Sequence, residues 1–258
     1  MIPRYSRQMP LFGESGQKAL SEACVFIAGA GGLGSPVATY LAAAGVGKII
    51  LLDFDAVDET NLNRQFLHHE KDIGRQKAVS GSEKLSSQNP HITVLPVCEK
   101  LTDKNVSELT GGAGIIVDAL DNDETRRVLA KFAFNSRLPY FHAAVYGFSG
   151  QVSVFLPDGP CFFCAFPADE SNSSCELPEN VGKTGTPAKP EKFPISGTVC
   201  GVIGSLEANE VVKYITKKGE LLSGKLLIWD GLTNSFDQIE FEKDDCCPVC
   251  GKCNGENK

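Results

Sequence analysis

Residues 24–34 read CVFIAGAGGLG, an apolar run that leads directly into a glycine-rich segment, and a second apolar run at 48–52 ends at Asp53. This order predicts a strand, a glycine turn, a helix and a second strand. Glycines let the backbone approach a phosphate closely, a helix N-terminus favours negative charge, and a carboxylate at the second strand end can accept ribose hydroxyls. The sequence therefore predicts a nucleotide site formed by Gly29, Gly31, Gly32, Gly34 and Asp53.

The segment after Asp53 indicates which nucleotide is bound, because NAD and ATP enzymes share the glycine motif. Several polar and charged residues follow: Asp55, Asn61, Asn63, Arg64, Gln65 and the GRQK of residues 74–77. Cations neutralise the phosphates of a nucleoside triphosphate, whereas hydride transfer has no obvious use for them. ATP is therefore favoured. An NAD(P)-dependent oxidoreductase and a non-enzymatic nucleotide-binding module are the alternatives.

Composition and charge restrict the class of protein. The chain has 258 residues, 42% of them hydrophobic, enough for one large α/β domain. Its net charge of −7 argues against nucleic acid or an anionic membrane as the main partner. No stretch approaches the roughly 20 apolar residues that span a bilayer, and the N-terminal MIPRYSRQ lacks the apolar core of a signal peptide. We expect a cytoplasmic protein that binds neither nucleic acid nor membrane.

The ten cysteines include two Cys-x-x-Cys pairs, Cys161 with Cys164 and Cys247 with Cys250. A large chain without an export signal is expected to keep its thiols reduced, so metal binding is favoured over disulfides. Two such pairs can share one tetrahedral zinc ion, which would attach the C-terminal tail to the domain. Four buried cysteines without a metal are the alternative, and Cys253 offers a competing pair with Cys250.

Hydrophobic periodicity and turn residues predict an α/β fold in one domain. Helices are expected at 14–21, 33–44, 74–87, 123–136 and 201–213, and strands at 24–28, 49–52, 92–97, 115–118 and 140–145. The segments QVSVFLP, KLLIWDG and FDQIEFEK alternate as antiparallel strands do. We expect a Rossmann-like parallel nucleotide-binding half, residues 1–145, that continues into a more antiparallel half, residues 146–258.

Ordered motifs along nearly the whole chain resemble the MoeB/ThiF/HesA family. They are RYSRQ at 4–8, GAGGLG at 29–34, NLNRQ at 61–65, GRQK at 74–77, DALDN at 118–122, CFFC at 161–164, GVIGSLEANEVVK at 201–213 and CPVC at 247–250. These E1-like enzymes use ATP to adenylate the C-terminal glycine of a small ubiquitin-fold sulfur-carrier protein, and pyrophosphate leaves. The resemblance implies ATP, Mg²⁺ and structural Zn²⁺, a homodimer, and a MoaD- or ThiS-type carrier ending in Gly-Gly, with sulfur from another protein. It does not decide between the molybdopterin and thiamine pathways, and adenylation of a peptide or other non-carrier substrate is the alternative.

The resemblance also implies roles for single residues. Arg64 and Lys77 match phosphate-binding positions, Asn61 and Gln65 would orient phosphate or backbone, and Asp121 would engage Mg²⁺, with Asp55 nearby. The alternative for Asp121 is the N-cap of the next helix. Arg7 would reach the phosphates from the partner subunit, its alternative being an ordinary surface arginine.

The resemblance bears on the cysteines and on one long loop as well. Cys247 and Cys250 match the family's terminal CxxCG and are preferred to the Cys253 pairing. A Pro-, Ser- and Lys-rich segment at about 165–197 corresponds to a crossover loop over the carrier's tail, its alternative being a solvated loop. Cys175 in that loop is a candidate for a thioester or acyl-persulfide step, and Cys200 is expected to pack at a helix start.

Overall fold

The computed structural model describes residues 3–167 and 194–251, which form one eight-stranded sheet in the order β3-β2-β1-β4-β5-β6-β7-β8. The strands are β1 Cys24–Ala28, β2 Lys48–Leu52, β3 Thr93–Val97, β4 Ile115–Asp118, β5 Tyr140–Tyr146, β6 Ser149–Phe155, β7 Lys225–Asp230 and β8 Ser235–Glu240. Strands β1 to β5 pair in parallel, and β5 to β8 pair antiparallel. The predicted parallel sheet with an antiparallel continuation is confirmed.

Seven α-helices accompany the sheet in the described residues: α1 Met9–Glu22, α2 Gly34–Ala44, α3 Lys77–Gln88, α4 Val106–Leu109, α5 Asp123–Asn135, α6 Phe162–Ala165 and α7 Gly197–Thr216. Strands β1 and β2 are apolar along almost their whole length because both faces of the sheet are covered. Residues of α2 and α7 pack with Ile27 and Leu51 on one face. Residues of α4, α5 and the cysteine pairs pack with Phe26 and Ile50 on the other.

Three predicted helices had wrong bounds, and the one predicted at 201–213 spans Gly197–Thr216. The helix predicted at 74–87 begins only at Lys77, because Gly74 has a φ of +84° and Gln76 is extended and bridges to Ala56. The helix predicted at 14–21 begins at Met9 and bends at Gly13, which has a φ of +70°. Short helices α4 and α6 carried no periodic signal and were not predicted.

The sheet topology brings the predicted nucleotide residues to one edge. Ala28, the last residue of β1, pairs with Leu52 at the end of β2 and with Asp118 at the end of β4. The glycine segment, Asp53 and the segment at 119–122 therefore leave the sheet side by side, at the carboxyl ends of neighbouring parallel strands. In the described parts of the chain no helix has both the length and the apolar character to cross a bilayer.

Candidate nucleotide and metal sites

The glycine segment is folded so tightly that side chains are excluded. Gly29 has a φ of +104°, a left-handed conformation that favours glycine. A Cβ atom at Gly34 would lie 1.9 Å from the Gly29 carbonyl oxygen, and one at Gly32 would lie 2.8 Å from the Cys200 Sγ. The turn into α2 and the approach of α7 to it therefore both require glycine.

The peptide groups around Ala30 are held from both sides. The Ala30 N–H donates to Asp53 Oδ2 at 2.8 Å, and the Ala30 carbonyl lies 2.9 Å from His68 Nε2. Burial lowers the pKa of His68, so the ring is neutral at pH 7. Its Nε2–H then donates to Ala30, while Nδ1 accepts from the Ser80 hydroxyl at 3.0 Å. His68 was missed by sequence reasoning, because its role depends on a contact 38 residues away.

Asp53 lies where the sequence predicted it, directly after β2. It is 8% exposed, and burial raises the pKa of its carboxyl group. Besides the Ala30 bond, its Oδ1 accepts the Asp55 N–H at 2.9 Å. Each carboxylate oxygen has capacity for a further hydrogen bond, so a sugar hydroxyl can still be accepted.

Of the two predicted cations, Lys77 lies near this carboxylate and Arg64 near the glycine turn at Gly32. Lys77 is almost fully buried, and its Nζ lies 2.9 Å from Asp55 Oδ2. The half-buried Arg64 donates through Nη1 to the Thr60 carbonyl and to Asn63 Oδ1, both at 3.0 Å. It lies against the start of α7, where a Cβ at Gly197 would be 3.3 Å from the Arg64 Cα.

The two amide residues of NLNRQ that were predicted to lie in the site, Asn61 and Gln65, differ. Asn61 accepts the Asp58 N–H through its Oδ1 at 3.1 Å and so completes the capping box that Asp58 begins at the short 3₁₀-helix Glu59–Asn61. Gln65 is buried beside Gly31, and its Oε1 has no hydrogen-bond partner within the described residues. A buried acceptor without a partner is costly, but the amide atom nearest Gly31 is Nε2, so at the glycine turn this side chain presents a donor.

The segment at 118–122 contains a buried carboxylate that sequence reasoning did not identify. Asp118 Oδ2 accepts from Arg126 Nε at 2.8 Å and from both the Tyr140 hydroxyl and His142 Nδ1 at 2.7 Å. Burial by itself would raise the pKa of Asp118, but the Arg126 charge and the His142 and Tyr140 hydrogen bonds lower it to about 2. Burial lowers the pKa of His142, so a neutral ring donates its Nδ1–H.

Asp121 is exposed at the same edge of the sheet. It does not cap α5, because Asn122 is the N-cap residue and its Oδ1 accepts the Thr125 N–H at 2.9 Å. The helix-cap alternative for Asp121 was therefore wrong, and its carboxylate stays accessible from solvent.

Arg7 is exposed and lies at the other end of α2 from the glycine turn. The next residue, Gln8, donates through Nε2 to the carbonyl of Ala44, the last residue of α2, at 2.7 Å. A helix of this length spans about 15 Å, well beyond the roughly 7 Å reach of an arginine side chain. Arg7 therefore does not contact the glycine turn of its own chain.

The four predicted metal ligands lie together. The Sγ atoms of Cys161, Cys164, Cys247 and Cys250 are all within 4.8 Å of one another, with separations of 3.9, 3.6 and 3.2 Å for three of the pairs. Zinc–sulfur bonds of about 2.3 Å give a tetrahedron with edges of about 3.8 Å, so this donor set suits zinc. Hydrogen bonding from Cys161 lowers the pKa of the Cys164 thiol, and a thiolate is the form that binds a metal.

The remaining candidate cysteines are separate from this cluster. Cys200 is buried in the first turn of α7, and burial raises the pKa of its thiol. Cys175, Cys253 and most of the predicted crossover loop at 165–197 lie outside the described residues.

Together, the glycine turn and the strand-end carboxylate define an α/β protein of the nucleotide-binding class, and its four-cysteine cluster is compatible with a zinc ion. The ThiF family profile matches residues 5–249. The chain belongs to the ThiF family.

Relatives and solved structures agree with this assignment. The chain is 37% identical to the SAMP-activating enzyme E1 of Haloferax volcanii, covering 97% of this chain and 89% of the relative. It is 35% identical to the molybdopterin-synthase adenylyltransferase of Salmonella typhimurium, covering 96% of each. It is 37% identical to the sulfur carrier protein adenylyltransferase of Thermus thermophilus, covering 97% and 91%. A crystal structure of Escherichia coli MccB with ATP aligns with a TM-score of 0.79 at 26% identity, covering 97% of this chain and 74% of that one.

Proposed function

We propose that this chain is an ATP-dependent adenylyltransferase that activates the C-terminal glycine carboxylate of a small ubiquitin-like sulfur-carrier protein ending in Gly-Gly. The observation that carries the proposal is the grouping of the glycine turn, Asp53, Arg64 and Lys77 at one edge of the sheet. The relatives named as adenylyltransferases of carriers support the same reaction.

The chemistry follows from the charges involved. The carrier carboxylate attacks the α-phosphorus of ATP, a carboxyl oxygen–phosphorus bond forms, the bond to the bridging oxygen breaks, and pyrophosphate leaves. The carboxylate is already ionised at neutral pH, so no general base is required. Arg64 and Lys77 would hold the phosphates, and positioning plus charge neutralisation would supply the rate enhancement.

Asp53 would bind the ribose hydroxyls, and Gln65, whose Nε2 lies nearest Gly31, would donate to the bound nucleotide. Asp121 would bind Mg²⁺, since a hard cation prefers carboxylate oxygen, and Asp55 would hold Lys77 in place. When bound, the Mg²⁺ ion would neutralise phosphate charge.

We infer that the active unit is a homodimer in which Arg7 serves the partner's site. The position of Arg7 beyond the far end of α2 supports this, because it cannot reach the glycine turn of its own chain. A groove of about 330 Å³ between α1, α2 and α7 begins at the neighbouring Gln8 and includes Phe12 and Tyr40. Tyr40 is 55% exposed and Leu11 is 68% exposed, so an apolar surface is available for a second copy of the chain.

The four-cysteine cluster would hold one structural zinc ion. Zinc would attach the C-terminal turn at 244–251 to α6 and to the aromatic residues beside it. Residues 1–145 would bind the nucleotide and residues 146–258 the carrier and the zinc ion, within a single domain.

A peptide or other non-carrier substrate is the second candidate, since the solved structures include MccB with MccA. The carrier is favoured, because the carrier-activating relatives share 35–37% identity with this chain against 26% for MccB.

ATP–pyrophosphate exchange tests the reaction and the partner together. We expect exchange that depends on a purified MoaD- or ThiS-type carrier, and none with the same carrier lacking its terminal glycine. Binding of NAD but not ATP would contradict the proposal. ATP binding without exchange, across carriers and peptides, would indicate a nucleotide-binding module instead.

A further inference from the structure

We propose that Asp118 and Arg126 are positioning residues that grip the backbone of Leu120 and so fix the adjacent Asp121 for Mg·ATP binding. This inference rests on the proposed function, in which Asp121 engages Mg²⁺. Both side chains lie largely out of solvent, Asp118 fully buried and Arg126 13% exposed, so they act through Leu120 and are given no contact with the nucleotide in this proposal.

The grip involves both polar groups of a single residue. The Leu120 N–H donates to Asp118 Oδ1 at 3.1 Å, and the Leu120 carbonyl accepts from Arg126 Nη2 at 2.6 Å. Arg126 Nε in turn donates to Asp118 Oδ2 at 2.8 Å. The carboxylate and the guanidinium therefore close a ring around Leu120, and the Cα of Asp121 is only one peptide unit, about 3.8 Å, further on.

The ring is anchored to the sheet and to the aromatic residues behind it. Tyr140 and His142 of β5 both donate to Asp118, and Gln151 of β6 lies 3.4 Å from the other nitrogen of His142. The His142 ring packs edge-to-face with Phe162, at a centroid distance of 5.2 Å. Every partner of Asp118 is thus held in a fixed orientation, which leaves the Leu120 backbone little freedom.

The cost of this arrangement argues for a role beyond stability. A buried ion pair contributes little net stability, because removing two charges from water offsets their attraction. The Asp118 side chain is fully buried and that of Arg126 is 13% exposed, yet the pair is directed at one loop residue. Groups that orient a metal ligand typically change metal affinity or activity by about 10–100-fold when they are removed.

Arg126→Lys tests the grip, because a lysine keeps the charge but cannot bridge Asp118 and the Leu120 carbonyl as a planar fork does. ATP affinity is measured by titration across a range of Mg²⁺ concentrations and again in EDTA. We expect the half-saturating Mg²⁺ concentration to rise by about tenfold or more, with metal-free ATP affinity within about twofold of wild type. Arg127→Lys is the matched control on the same helix, since Arg127 pairs with Asp123 and the Phe166 carbonyl.

Asp121→Asn separates this inference from the function on which it rests. A raised Mg²⁺ requirement in Asp121→Asn together with a wild-type one in Arg126→Lys would overturn the positioning role alone. A wild-type Mg²⁺ requirement in both variants would overturn the assignment of Asp121, and the positioning role with it.

Tyr140→Phe covers the case in which Arg126→Lys does not fold. It removes one hydrogen bond to Asp118 and leaves every charge in place. We expect a smaller rise in the Mg²⁺ requirement, about two- to tenfold for one hydrogen bond, and no rise would overturn the proposal.

Discussion

Single buried polar residues are the part of this molecule that sequence patterns predicted least well. Asp53 was predicted because it ends an apolar run, which is a local feature. His68 and Asp118 have hydrogen-bond partners on other elements, and Glu207 is buried on α7 without one in the described residues. Burial of such groups is decided by tertiary packing, so it leaves no trace in spacing or composition.

Glu207 on α7 is the most unusual of these residues. It is fully buried, and neither carboxyl oxygen has a hydrogen-bond partner in the described chain. Burial raises its pKa well above the usual value, and the Asp118 charge adds to this more than Arg126 opposes it. The folded protein therefore keeps a proton that the unfolded chain loses above about pH 4.3.

Stability should consequently fall with pH above that value, by up to about 1.4 kcal/mol per pH unit. The Glu207→Gln variant lacks this pH dependence. The difference between its free energy of unfolding and that of wild type should therefore rise by at least about 1 kcal/mol from pH 5 to pH 8. Urea unfolding at both pH values measures this, and Glu108→Gln, at an exposed position, controls for the loss of one acidic group. A constant difference between the Glu207 variant and wild type would show that Glu207 does not keep its proton.

Asp53→Ala should weaken ATP binding by about tenfold or more. The substitution removes the proposed ribose acceptor and also the acceptor for the Ala30 and Asp55 N–H groups, so the glycine turn loses a support. Equilibrium titration with a non-hydrolysable ATP analogue measures the effect. Asp58→Ala is the control, because Asp58 lies in the same segment but accepts the Thr60 N–H. Equal ATP affinities of the two variants would contradict the placement of Asp53 in the nucleotide site.

At the scale of elements, the sequence predicted the regular strands and most helices but not their exact ends. Strands β1 and β2 contain apolar runs of five and four residues, and such runs have few alternatives in a buried sheet. The start of α3 was misplaced because the pairing of Gln76 with Ala56 depends on a contact across 20 residues of chain. Helix α6 is only four residues long, so its cysteine spacing predicted it as a metal site rather than as a helix.

Cys161 and Cys164 at α6, together with Cys247 and Cys250 of the C-terminal turn, should bind one zinc ion per chain. Metal analysis of freshly purified, reduced protein is expected to find it, and Cys247→Ser should lose it. If zinc is present at about 100 times its dissociation constant, it stabilises the fold by about 2.7 kcal/mol, so its loss should lower the Tm by roughly 5–10 °C. Cys98→Ser, at an exposed thiol outside the cluster, should keep both the zinc and the Tm. The assignment would be contradicted if wild-type protein that holds no zinc had the same Tm as wild-type protein supplied with zinc.

At the scale of the whole molecule, the parallel and antiparallel halves of the sheet followed from the sequence, whereas the full strand order and the complete set of residues in each site did not. Parallel pairing of β1, β2 and β4 was expected from alternating strands and helices, and it places their carboxyl ends together. The resemblance alone suggested that Arg7 serves another subunit. The fold supports that proposal, since α2 separates Arg7 from the glycine turn in its own chain.

Subunit mixing tests this arrangement. Arg7→Ala and Arg64→Ala should each abolish adenylation, because each homodimer then lacks one cation in both sites. A mixed dimer has one site that lacks both cations and one that has both, since each variant damages a different site. Random exchange between equal amounts makes half of the dimers mixed, so roughly a quarter of wild-type activity should return. Mixing Arg64→Ala with Lys77→Ala is the control: both side chains lie in the same chain's site, and no activity should return. If subunit exchange is demonstrated but the first mixture stays inactive, Arg7 does not act from the partner subunit.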